Sequence, residues 1–109
     1  MSVNVHALAR ALALVADERH KQDEKWGEQN HPDANPNANY PIGAAGHCKA
    51  VTDMRAQSGV VTWADILIEE VAEAVDEARA GNRQALRNEL VQVAAVAVQW
   101  VEKLDMGER

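Results

Sequence analysis

The chain has 109 residues and a mass of 11.9 kDa, room for one hydrophobic core, so a single domain over residues 1–109 is expected. Apolar residues make up 47% and charged residues 26%, which argues against a disordered tail; aromatics are only 4% and Phe is missing, so the core must come from Ala, Val, Leu and Ile, a composition suited to closely packed helices. A net charge of −6 with Lys and Arg scattered along the chain argues against a general nucleic-acid or acidic-membrane binder. No apolar run approaches the length of a membrane span, and the first residues, MSVNVHALAR, lack the pattern of a signal peptide. The single cysteine, Cys48, allows no internal disulfide. A cytoplasmic protein that meets neither membrane nor nucleic acid is therefore expected.

Val5, Leu8, Leu12 and Val15 recur at spacings of three and four, which predicts a helix from about Val3 to Lys25, with Asn4 as its cap and Gly27 as its stop. Residues Glu28 to Pro41 contain three prolines and four asparagines and have no periodicity, so a loop is expected. Ile42 to Gln57 carries a weaker helical pattern, with Ala45, Cys48, Lys49 and Thr52 on one face and Ser58-Gly59 at its end. The next segment opens on Thr62 with Asp65 three residues on, the spacing of a capping box, and Trp63, Leu67, Val71, Ala74 and Ala78 mark a stripe along a helix that Gly81 ends. Asn82 is the expected cap of a last helix from Arg83 to Leu104, whose Leu86, Leu90, Val93, Ala97, Trp100 and Leu104 form a packing seam. Its stretch from Leu90 to Val98, LVQVAAVAV, is apolar on nearly all faces, so association through the last two helices, as a homodimer or homotetramer, is expected.

The chemistry concentrates on the last two helices. Glu70 and Glu73 stand three residues apart, offset by roughly 60° around the axis and about 4.5 Å along it, so their carboxylates can converge. Glu69 and Glu77 crowd Glu73 further, and no Lys or Arg lies between Arg55 and Arg79 to offset the repulsion. Glu89 and Gln92 repeat the spacing on the last helix. If that helix packs antiparallel to its predecessor, three carboxylates and an amide oxygen surround a small volume, and such a set of hard oxygens selects Mg²⁺ or Mn²⁺ over zinc. His20, His31, His47 and Cys48 lack the spacing of a zinc site. Trp26 could stack on a nucleobase, and Lys21, Lys25, Lys49 and Arg55 are candidate contacts to phosphate.

EEVAE at Glu69–Glu73 followed by ELVQV at Glu89–Val93 resembles the MazG-like all-α nucleoside triphosphate pyrophosphohydrolases, whose pattern is EExxE and then ExxD. The resemblance covers the last two helices and, more loosely, KWGEQNHP at the end of the first. It implies an antiparallel helical bundle completed by oligomerisation. It also implies Mg²⁺ (or Mn²⁺) on Glu70, Glu73, Glu89 and Gln92, and hydrolysis of a nucleoside triphosphate to monophosphate and pyrophosphate. Glu69 is then the catalytic group that positions or deprotonates the attacking water. Gln92 departs from the pattern, which has Asp there. The site carries −3 rather than −4, and metal affinity should fall. Two other readings follow: a nucleotide-binding or sensing module of weak or no activity, and a structural helical oligomerisation protein.

Overall fold

The computed structural model describes residues 3–107, and these residues form four helices and no strand. Helix α1 spans Val5–Trp26, α2 Ala45–Gln57, α3 Trp63–Ala80 and α4 Arg83–Asp105. No helix among the described residues is long and apolar enough to cross a membrane. Contacts group the residues into two units. One holds the chain up to His31 together with the chain from Ala97 onward; the other holds Pro32–Val96.

In the first unit, Asn4 caps α1 as expected: its Oδ1 accepts from the backbone N–H of Ala7 at 3.0 Å, and Gly27, at φ 68°, ends the helix. Asn4 Nδ2 also reaches Met106 Sδ at 3.9 Å, which brings the start of α1 beside the end of α4. The buried face differs from the predicted one. Ala7 and Ala11 are covered, whereas Val5, Leu12 and Val15 are exposed. Both faces have helical spacing, but alanine is short enough to let another backbone approach. On α4 the covered positions of this unit are Val98 and Glu102, also four residues apart.

The second unit contains α2, α3 and the first part of α4. Thr62 and Asp65 form the predicted capping box, with Asp65 N–H donating to Thr62 Oγ1 at 3.2 Å and Thr62 N–H donating to Asp65 Oδ2 at 3.0 Å. Arg55, near the end of α2, is ion-paired to Asp65, and Thr52 Oγ1 donates to the Asp65 carbonyl at 3.3 Å. At the other end of α2, no side chain of its own caps the helix. Asp76 of α3 does so instead, accepting from the Ala45 N–H at 3.2 Å. Position 45 thus meets 76 and position 52 meets 65, so α2 and α3 run antiparallel. Gly81 ends α3 in the left-handed conformation (φ 76°, ψ 17°). Asn82 was the expected cap of α4, but its amide turns back and donates to Glu77 Oε2 at 3.0 Å.

Ala72 and Ala74 of α3 and Thr52 of α2 are buried here. In the predicted seam on α4, Leu86, Val93, Ala97 and Trp100 are half-buried, and it is open at Leu90, 51% exposed, with neighbouring Val91, 57% exposed. These two, with Leu86, Ala94, Arg83 and Arg87, line an open groove of about 570 Å³, and Arg83 is ion-paired there to Asp33 at 2.7 Å.

Candidate metal centre

Helix α3 supplies the base of the centre. Glu69, Glu70 and Glu73 are half-buried, and one carboxylate oxygen from each lies within 4.8 Å of the others. The i, i+3 and i, i+4 spacing is what the helix needs to stack these side chains over one spot. Glu89 joins them from α4, beside the carboxyls of Glu70 and Glu73. Glu70 Oε2 and Glu89 Oε2 are both shut off from solvent and have no hydrogen-bond partner. Buried carboxylate oxygens are costly without a donor or a cation.

The electrostatics reflect that crowding. Burial, then the charges of Glu73 and Glu69, push the Glu70 carboxyl above its ordinary value, and the interaction with the neighbouring Glu89 works against this. Burial and Glu89 raise Glu73, which Lys49 partly offsets. Burial and the Glu73 charge raise Glu69, again with Lys49 opposing. At raised carboxylate pKa values, protons and a divalent cation compete for the same oxygens.

The helix-by-helix reading found no basic neighbour for these glutamates, but the fold provides one. The antiparallel register of α2 and α3 brings Lys49 level with Glu69 and Glu73, and its Nζ is 3.3 Å from Asp53 Oδ2. Asp53 was missed altogether. It stands beside Lys49 and adds a further negative charge facing Glu69. The only signal for it in the sequence is its i, i+4 spacing from Lys49.

The remaining candidates sit as follows. Gln92, one turn beyond Glu89, is exposed. Arg55 is bonded to Asp65 at the start of α3. Lys21, Lys25 and Trp26 belong to the first unit, near the end of α1; Trp26 is 63% exposed, and Lys25 Nζ lies over its ring, 4.8 Å from the centroid. Cys48 Sγ donates weakly to the Gly43 carbonyl at 3.7 Å.

The group whose carboxylate oxygens come together is thus Glu69, Glu70 and Glu73, all from α3, with Glu89 beside Glu70 and Glu73 and one lysine at its edge, and all the donors are hard oxygens. No family model matches the chain, and no curated protein or solved structure matches it either.

Proposed function

We propose that this protein is a Mg²⁺-dependent nucleoside triphosphate pyrophosphohydrolase that converts a ribo- or deoxynucleoside triphosphate to its monophosphate and pyrophosphate. The observation that carries the reading is the pair of buried, partnerless oxygens, Glu70 Oε2 and Glu89 Oε2, set against Glu73. An acidic surface patch would leave such atoms in water. The order EExxE then ExxQ, with its likeness to the MazG-like pattern, supplies the reaction class.

Glu70, Glu73 and Glu89 would hold Mg²⁺ (or Mn²⁺), with Gln92 as a neutral fourth donor. The ion, when bound, neutralises charge on the phosphoryl oxygens. Glu69 is not needed as a ligand and is the group assigned to the attacking water. Its raised pKa suits it to accept the proton as the water adds to the α-phosphorus and pyrophosphate leaves. Lys49 supplies positive charge to the phosphates beside the carboxylates. Of the two candidate phosphate contacts in the second unit, Arg55 is the less available because Asp65 already holds it.

The same reading has α3 and α4 antiparallel in a helical bundle, and a homodimer or homotetramer that covers Leu90 and Val91, in the cytoplasm. The test of the site is Glu70→Ala and Glu73→Ala. Each should lower turnover by about 100-fold or more while circular dichroism stays helical. Either variant at the wild-type rate contradicts the assignment. Gln92 favours the second reading, a module that binds the nucleotide without cleaving it. Nucleotide binding with no product formed would establish that alternative.

A further inference from the structure

We propose that Lys49 is a resident counter-ion of the carboxylate centre, and that it couples loading of the metal to arrival of the polyphosphate. This inference rests on the metal-dependent reading of the centre and concerns how that centre is regulated.

The Ala45–Asp76 and Thr52–Asp65 hydrogen bonds fix how α2 lies along α3. Interpolating between them places position 49 opposite the stretch from Glu69 to Glu73. The Lys49 side chain is exposed, and its ammonium bonds Asp53 while facing Glu69 and Glu73. A single charge on a flexible four-carbon stem is thus paired with Asp53, and its field reaches two carboxylates of the cluster. It is the one basic side chain that the structure sets against that cluster among the described residues.

This placement acts in opposite directions on the two ligands. A divalent cation that enters alone meets glutamates already partly neutralised, and it meets the repulsion of the ammonium as well. A polyphosphate changes both conditions. Its oxygens offer Lys49 a new partner, the ammonium moves its charge from the glutamates to the anion, and the carboxylates become free for the metal. Each ligand then strengthens the other by the same factor, as linkage requires. The functional result is a centre that holds little metal while idle and fills when metal and polyphosphate arrive together. Because Lys49 is exposed, the effect is screened by salt.

The test is binding of Mn²⁺ alone to the full chain, followed by electron paramagnetic resonance of the free ion, for wild type, Lys49→Gln and Lys49→Arg. Lys49→Gln should bind Mn²⁺ about three- to tenfold more tightly at low salt, and the gain should shrink at high salt. Lys49→Arg keeps the charge and should behave as wild type. Inorganic pyrophosphate, corrected by a protein-free titration for the ion it complexes in solution, should tighten Mn²⁺ binding in wild type and much less in Lys49→Gln. Unchanged or weaker Mn²⁺ binding by Lys49→Gln overturns the coupling and leaves the metal site standing. Failure of wild type and of Lys49→Gln to bind Mn²⁺, with or without pyrophosphate, overturns the metal site and the coupling with it.

Discussion

Two faces of the second unit are each unfavourable, for opposite reasons. Around Glu70, Glu73 and Glu89, charged groups are crowded and partly buried, and two oxygens lack any donor. Along Leu86, Leu90, Val91 and Ala94, apolar groups stand in water. Helix α4 contributes to both, since Glu89 and Val91 are about 200° apart around its axis. Burial of charge is relieved by a cation, and exposure of hydrocarbon is relieved by another apolar surface. The same helix therefore separates a ligand-binding problem from an assembly problem, and variants on one face should leave the other alone.

The largest effect expected on that separation is on the apolar face. Leu90→Asp should turn an oligomer into a monomer in light scattering, while Mg²⁺ still raises the melting temperature. Loss of the Mg²⁺ response together with assembly would show that the two faces are not independent. On the acidic face, Gln92→Asp adds a negative charge and should tighten Mg²⁺ binding by about tenfold in calorimetry, without changing the state of assembly. Unchanged affinity would remove Gln92 from the centre.

Smaller effects sharpen the acidic side. Glu69, Glu70 and Glu73 have raised pKa values, so they take up protons more readily folded than unfolded. Without metal, this contribution to stability is fully present below the ordinary glutamate value of about 4.3 and is lost as the pH rises through the raised values. Asp65 has the opposite sign. Its carboxyl is held low, first by the Thr62 backbone N–H and also by Arg55, so its contribution is lost only as the pH falls below about 3.9. Thermal melts in a chelator should therefore show the contribution of these glutamates falling as the pH rises above about 4.3. Mg²⁺ should raise the melting temperature more at pH 7 than at pH 5, because protons and metal compete for the same oxygens. An equal Mg²⁺ effect at both values would separate the ion from these carboxylates. The smallest change is Thr62→Ala, which removes the capping box at a cost of about 1 kcal/mol in denaturant unfolding and should leave both faces working.

What was legible beforehand follows the range of the interactions. The ends of α1 and α3 could be read because Asn4 meets Ala7 and Thr62 meets Asp65 within three residues. Helix α2 read weakly because its cap is Asp76, 31 residues away, and no local residue signals it. The α3 glutamates were readable because helical spacing alone stacks them, and Glu89 because the same spacing recurs on the next helix. The basic neighbour was not. Lys49 could be named as a phosphate contact, but its place beside Glu69 and Glu73 depends on the α2–α3 register, which no spacing within either helix reveals. The stripes misled for a physical reason. Spacing identifies faces that could be buried, and in α1 alanines took the buried place in preference to Val5, Leu12 and Val15.

The most direct measurement is incubation of the wild-type protein with Mg²⁺ and a panel of ribo- and deoxynucleoside triphosphates, following pyrophosphate and orthophosphate together. The account predicts pyrophosphate with an equal amount of the matching monophosphate, no orthophosphate, and no product in a chelator. Orthophosphate with diphosphate, or no product from any member of the panel with the fold intact, would contradict it.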